Sequence, residues 1–118
     1  MTYDKLYDNI KSQFKLITGT DNKKMYGSKY FIPIKTIFIK RLANAIYEYS
    51  LDDLNKIERV LINHIKDSCS NNFPKFTRTM EYFIYGQNGK DCQLAVEYEN
   101  IDSIIDKSEE IKFKSNIK

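Results

Sequence analysis

Residues 30–83 place apolar side chains at three- and four-residue intervals, and this periodicity constrains the fold more than any other feature of the chain. Apolar residues with that spacing share one face of an α-helix, so the pattern predicts packed helices. Pro33 and Pro74 can each open a helix, because the first turn has no use for their missing amide proton. The predicted helices run from Pro33 to Tyr47, from Leu51 to Asp67 and from Pro74 to Tyr85.

The first of these helices is apolar over more than half of its circumference. Ile39 lies beside its apolar stripe, which consists of Ile34, Ile37, Phe38, Leu42, Ala45 and Ile46. A helix that is apolar on most sides is typical of a buried position. We therefore expect it to be the central helix of the fold.

A polar corner separates the first two helices. Ser50 precedes Asp53 by three residues, which approaches a capping box, where a hydroxyl and an acidic side chain satisfy the free amides at a helix start. Asp52 and Asp53 would also lie at the positive end of the helix dipole. The sequence predicts Ser50 as the residue that caps the start of the second helix.

Two more helices are predicted outside this stretch. From Tyr3 to Ile17, six apolar residues share one face, with Thr2 as the N-cap and Gly19 as the C-terminal stop. From Asp91 to Lys107, apolar residues again keep helical spacing. The polar, basic and glycine-containing segment from Thr20 to Lys29 is predicted to be a flexible loop.

These elements predict an all-α fold, a compact orthogonal bundle of five helices in which residues 1–107 form a single domain and residues 108–118 a polar tail. A chain of 118 residues is long enough for one core. An alternative remains for residues 80–98, since Asn88-Gly89 is typical of a β-hairpin turn. Gln93, Leu94 and Ala95 favour a helix there, and we prefer the helix.

Residues able to support catalysis are few. The single histidine, His64, has no serine or cysteine nucleophile placed beside it by the sequence. Cys69 and Cys92 are more typical of small buried apolar residues, and with His64 they supply only three zinc ligands without a recognised spacing. The sequence predicts no enzyme activity, no catalytic residue, no metal site and no cofactor. A deep polar cleft that gathers His64 with acids would contradict that prediction.

The sequence also bears on location. No apolar run reaches the roughly 18 residues of a membrane-spanning helix, and the first residues lack the apolar core of a secretory signal. We therefore expect a cytoplasmic protein with reduced cysteines and no membrane partner.

Basic residues are concentrated in the first half of the chain. Residues 1–50 carry nine Lys or Arg against four acids, a net charge of +5, and residues 91–118 carry seven acids against four lysines, a net charge of −3. Cations beside tyrosines combine phosphate contacts with rings on which bases can stack. The candidate nucleic-acid-binding residues are Lys23, Lys24, Lys29, Lys40 and Arg41. The acidic face from Glu97 to Glu110 suggests a further alternative, an inhibitor that mimics nucleic acid.

Tyrosine is abundant in this chain, with nine of its sixteen aromatic residues. A tyrosine ring offers contact area while its hydroxyl stays hydrated, which suits protein interfaces. The candidate interface residues are Tyr47, Tyr49, Tyr82 and Tyr85. A compositional explanation is the alternative, because low-GC genomes enrich Tyr, Asn, Ile and Lys together.

Several short motifs between Tyr30 and Ile101 belong together. They are Ala45-Ile46, then Ser50-Leu51-Asp52-Asp53-Leu54, then Phe73-Pro74 with Phe83, and finally Ala95 with Tyr98. In these motifs the chain resembles the small helical domains of phage replication proteins that recruit the host helicase, the replication protein P group. The resemblance implies a non-enzymatic, replication-linked interaction module of a phage or mobile element, whose partner is a host or phage protein. The oligomeric state stays open.

Overall fold

The computed structural model describes residues 1–24, 29–69, 79–85 and 92–101. It contains the helices α1 (Tyr3–Thr18), α2 (Lys35–Tyr49), α3 (Leu54–Cys69), α4 (Met80–Tyr85) and α5 (residues 93–101). The predicted all-α bundle of five helices is confirmed. The hairpin alternative for residues 80–98 is wrong where that segment is described, because residues 80–85 and 93–98 are helical.

Some predicted features lie outside the described residues. They are the start of the fourth helix at Pro74, the Asn88-Gly89 turn, the end of the fifth helix at Lys107 and the tail of residues 108–118. Within the described ranges, the one β-type pairing is an isolated antiparallel bridge between Lys24 and Tyr30. It closes the base of the predicted loop.

Helix α1 has the predicted caps at both ends. The Thr2 hydroxyl accepts a hydrogen bond from the Lys5 amide at 3.1 Å, which satisfies one of the free donors of the first turn. Gly19 ends the helix at φ +81°, and its amide donates to the Lys15 carbonyl at 2.8 Å. A positive φ of this kind costs glycine little because it has no Cβ.

The corner between α2 and α3 differs from the prediction. Ser50 ends α2, with φ +55° and ψ +46°, and its amide donates to the Ile46 carbonyl. Asp53 caps α3 instead, since its Oδ1 accepts from the amides of Asn55 and Lys56 at 3.0 and 3.2 Å. One carboxylate thus satisfies two free donors, and the capping role predicted for Ser50 is wrong.

Helix α2 is less buried than predicted. It begins at Lys35, two residues after Pro33, and buries only Phe38, Leu42 and Ala45. Ile34 and Ile37, which were expected in the core, are exposed. Helix α1 packs against α2 and α3, and α2 packs against α1 and α4, so the central position of α2 stays a prediction.

Four rings form a stack through the core. Phe14 of α1, Phe31, His64 of α3 and Phe83 of α4 follow one another with centroid distances of 5.4, 5.3 and 4.0 Å. Phe31 is fully buried, its amide donates to the Lys23 carbonyl at 2.7 Å, and its carbonyl accepts from the Met80 amide at 2.8 Å. The stack ties three helices to the segment that precedes α2.

A helix that crosses a bilayer needs about 20 predominantly apolar residues. Across residues 1–24, 29–69, 79–85 and 92–101, no helix has both the length and the apolar content that a membrane span requires.

Candidate functional site

An open groove of about 600 Å³ lies between the C-terminal half of α2 and helix α4. Its lining includes Arg41, Ala45, Tyr47, Tyr49, Ile84 and Tyr85. We call it the tyrosine groove, because three of the four tyrosines predicted as interface residues line it. The fourth, Tyr82, is half-buried on α4 and is not among the described residues that line the groove.

The three groove tyrosines remain accessible to solvent. Their exposed fractions are 90% for Tyr47, 52% for Tyr85 and 38% for Tyr49. Beneath them, Ala45 and Ile84 are buried and belong to the core. The groove therefore combines a fixed apolar floor with aromatic walls that further contacts can cover.

Arg41 forms one wall of the tyrosine groove by joining α2 to α4. Its Nε lies 3.4 Å from Oε2 of Glu81, and its Cζ lies 4.1 Å from the ring centroid of Tyr85. A guanidinium stacked on a ring and paired with a carboxylate is held in one orientation. A phosphate group would have to compete with both partners for Arg41, which sequence analysis placed among the nucleic-acid candidates.

The other basic candidates are exposed. Lys23, Lys24 and Lys29 lie together around the base of the loop, whereas Lys40 lies on α2. Asn22 holds this base in place. Its Oδ1 accepts from the amides of Lys23 and Ile32 at 2.9 and 3.0 Å, and its Nδ2 donates to the Ile32 carbonyl at 2.9 Å. The structure thus gathers the three loop lysines.

A second groove, of about 410 Å³, lies beside the N-terminal end of α2. Its lining includes Lys11, Lys29, Tyr30, Ile34, Ile37 and Glu81. We call it the isoleucine groove. Glu81 lines this groove and Arg41 lines the tyrosine groove, so their ion pair joins the linings of the two grooves.

Neither Glu81 nor the isoleucine groove was predicted. Glu81 meets Arg41 across forty residues of sequence, and no local pattern marks such a pair. The spacing of Ile34 and Ile37 predicted a core face. The exposure of Ile34 and Ile37 in the structure shows that they do not belong to the core.

A polar cleft of about 240 Å³ lies between α3 and α5. Its lining includes Asn63, His64, Asp67, Gln93 and Glu97. In composition this is the arrangement that would contradict a non-enzymatic protein, because it brings the histidine near two acids.

The geometry of the cleft limits what chemistry it offers. The His64 ring stacks on Phe31 and Phe83, and Oε1 of Glu97 accepts from Nε2 of Gln93 at 3.0 Å. No serine, threonine, cysteine or lysine is among its described lining residues, and the described part of the chain holds no cluster of three or more metal-ligating side chains. The cleft thus gathers one histidine and two carboxylates, and the absence of enzyme activity stays a prediction.

Cys92 is buried near the start of α5. Its Sγ donates to the Ile84 carbonyl at 2.6 Å, and burial raises the pKa of the thiol above its ordinary value. Because the thiolate is the nucleophilic form, a buried and protonated thiol is unreactive. Cys92 therefore acts as a core residue, and the side chain of Cys69 lies outside the described part of the structure.

The acidic face predicted from Glu97 to Glu110 is described only at its beginning. Glu97 and Glu99 lie on α5, and residues 102–110 fall outside the described ranges. Glu97 is half-buried in the polar cleft. The inhibitor alternative stays a prediction.

No family model, no curated protein and no solved structure matches this chain. The resemblance of residues 30–101 to helicase-recruiting domains therefore rests on its sequence motifs alone, and the function has to be inferred from the two grooves and the cleft.

Proposed function

We propose that this chain is a non-enzymatic protein-interaction module that binds a partner protein through the tyrosine groove. The observation that carries this proposal is the convergence of Tyr47, Tyr49 and Tyr85, all exposed, on one groove with a buried apolar floor. Tyrosine and arginine are enriched among the residues that contribute most to protein binding. Few other surface residues offer as much apolar area for so few rotatable bonds.

The groove is organised before any partner binds. Tyr85 is held by Arg41, Arg41 is held by Glu81, and both sides of the groove are helices that pack on the core. A site whose walls are already ordered loses less conformational freedom on association. The expected partner is a protein segment that inserts an apolar side chain between Tyr47 and Tyr85.

The biological setting follows from the sequence resemblance. It makes a replicative helicase of the host the first partner to test, in the cytoplasm and in the context of a phage or mobile element. Purified helicase should then bind the chain, and Tyr47→Ala with Tyr85→Ala should weaken that binding by about tenfold or more, because such residues each contribute roughly 1–2 kcal/mol or more at interfaces.

The decisive experiment is site-specific photo-crosslinking. We expect benzoylphenylalanine at Tyr47 to give one discrete protein adduct in cells that carry the gene naturally. The matched control is Leu16, which is 77% exposed on α1. Adding Tyr49→Ala and Tyr85→Ala should reduce the adduct at position 47 and leave any background at position 16 unchanged.

Three outcomes would contradict the proposal. They are equal adducts from positions 47 and 16, no adduct at position 47, and an adduct there that a nuclease removes. The last would favour nucleic-acid binding, for which the clustering of Lys23, Lys24 and Lys29 is the supporting observation. Titration with short single- and double-stranded DNA at low salt tests that alternative directly, because phosphate contacts are strongest there.

A further inference from the structure

We propose that the isoleucine groove binds an acidic, amphipathic helical segment of the partner protein. This inference rests on the proposed function and deepens it, because it specifies the chemistry of the partner at a second site. The Arg41–Glu81 ion pair joins a lining residue of the tyrosine groove to a lining residue of this groove. One partner can therefore lie along the same side of α2 and contact both grooves.

The apolar side chains that line the isoleucine groove are exposed to solvent. Ile34 is 64% exposed, Tyr30 52% and Ile37 38%. Ile34 is the N-cap residue of α2 and Ile37 lies in its first turn, three residues further on, and both side chains line the groove. An apolar pair with this spacing matches the apolar pairs of a second helix, as in other helix-in-groove complexes.

The rim of the groove is positively charged. Lys11 from α1 and Lys29 from the loop line it, and neither takes part in an ion pair among the described residues. The one acid among the described lining residues, Glu81, is already paired with Arg41. Charge complementarity therefore favours an occupant with carboxylates beside its apolar stripe.

Lys35, in contrast to the two rim lysines, is paired with carboxylates of the protein itself. Its Nζ lies 3.7 Å from Asp4 and 3.4 Å from Asp8, both on α1. The protein thus supplies its own carboxylates to Lys35 and none within the described residues to Lys11 or Lys29. The two rim lysines are the ones available to a partner.

The wall that carries Lys29 and Tyr30 has a fixed base. The bridge between Lys24 and Tyr30 and the three hydrogen bonds of the Asn22 side chain hold the ends of the loop together. Asn22 is therefore a positioning residue for the groove. Because Asn22 also lines the groove, its replacement should weaken binding both by loosening this wall and by removing a lining side chain.

The shape of the groove favours a helix over other acidic surfaces. Its lining also includes the buried Tyr7 and Ile32 and the half-buried Pro33, which give the groove an apolar floor. A lipid surface presents charge over a broad plane, and a phosphate backbone has no apolar stripe to cover Ile34. An acidic amphipathic helix satisfies both the apolar floor and the basic rim.

The test uses the full chain and two synthetic peptides. The first is a fluorescein-labelled amphipathic helix of about 18 residues, or five turns, with leucines at three- and four-residue spacing and glutamates beside them. The second has lysine at every glutamate position. Fluorescence anisotropy should show saturable binding of the acidic peptide and at least about tenfold weaker binding of the basic one, since like charges oppose association.

Variants then locate the binding site. Lys11→Glu combined with Lys29→Glu should weaken binding of the acidic peptide at least about tenfold, and so should Ile34→Asp. The matched control is Lys5→Glu, which reverses an exposed charge of α1 that does not line the groove and should leave binding unchanged. Circular dichroism and urea unfolding of each variant establish that it is folded.

The proposal is overturned by equal binding of both peptides, or by unchanged affinity in the Lys11/Lys29 double variant while the chain is folded. It is also overturned if vesicles of phosphatidylcholine and phosphatidylserine, or a single-stranded oligonucleotide, bind with that same lysine dependence and the peptide does not. The titration needs neither the natural partner nor Tyr47. A failed peptide experiment therefore leaves the cross-link from position 47 standing, and a failed cross-link leaves the peptide result interpretable.

Discussion

The Cζ atom of Arg41 lies 4.1 Å from the ring centroid of Tyr85. Both side chains line the tyrosine groove, and the guanidinium is anchored from its other side by Glu81 at 3.4 Å. This one arginine therefore sets the orientation of an exposed ring and connects the linings of the two grooves. Its contribution can be measured separately from partner binding.

Removing Arg41 should lower the free energy of unfolding modestly. The Arg41 and Glu81 side chains are 30% and 29% exposed, which places their ion pair between a weak surface pair and a buried one. We expect Arg41→Ala to cost about 1 kcal/mol and the double-mutant cycle with Glu81→Ala to give a coupling of about 0.5–1 kcal/mol. Urea unfolding measures both, and strictly additive single effects would show that the pair does not interact.

The phenol of Tyr98 predicts how stability depends on pH. It accepts from the Asp53 amide at 3.2 Å and donates to Oδ1 of Asp52 at 3.1 Å. Burial is the main cause that raises its pKa above the ordinary value for tyrosine. The folded state therefore retains a proton that the unfolded state releases, so the stabilisation is complete below about pH 10 and is lost as the pH rises through the folded-state pKa.

We expect the free energy of unfolding to fall steeply above about pH 10 and to fall less steeply in Tyr98→Phe. At neutral pH that variant should already be about 1–2 kcal/mol less stable, because the Asp53 amide loses its acceptor. Urea unfolding followed by circular dichroism between about pH 8 and pH 11 measures the slope. Tyr47→Phe, with its side chain 90% exposed, is the control, and an unchanged slope in Tyr98→Phe would rule out this assignment.

Substitutions in the aromatic stack should lower the free energy of unfolding by different amounts. Phe31 is fully buried between Phe14 and His64, so Phe31→Ala should cost about 3–5 kcal/mol through lost burial and the cavity that remains. His64→Ala should cost less, about 1–2 kcal/mol, and His64→Phe should preserve most of the stacking. Guanidinium unfolding of the three variants tests this order, and a His64→Ala variant as stable as the unaltered protein would mean that the stack is not stabilising.

The sequence predicts those features of this fold that depend on neighbouring residues. The caps at Thr2 and Gly19 need only a hydroxyl or a missing Cβ at the right position. The apolar face of α1 needs only its own periodicity. Local chemistry decides such features, but it did not select between neighbouring candidates at the α2–α3 corner, where Asp53 and not the predicted Ser50 caps α3.

Features that depend on distant elements were not predictable in the same way. Periodicity shows that Ile34 and Ile37 share a face, but whether another element covers that face depends on where the other elements lie. Tyr47, Tyr49 and Tyr85 could be singled out as surface residues, but their convergence on one groove follows from the packing of α2 on α4. The sequence identified candidate surface tyrosines, and tertiary packing determined which of them line one groove.

Ser50 provides a prediction in which a substitution increases stability. Its φ of +55° is the only positive value among the described residues other than glycine, and side chains with a Cβ are strained there. Glycine relieves that strain at the end of α2 but gives the unfolded chain more freedom, so we expect Ser50→Gly to raise the free energy of unfolding by about 0.5 kcal/mol. Gly19→Ala is the matched control: with φ +81° and nothing within 4 Å of its added Cβ, it should cost about 1 kcal/mol through backbone strain alone. Thermal and urea unfolding of both variants measure whether each substitution raises or lowers the free energy of unfolding. A Ser50→Gly variant that loses stability would show that the serine side chain stabilises the corner by more than its backbone strain costs.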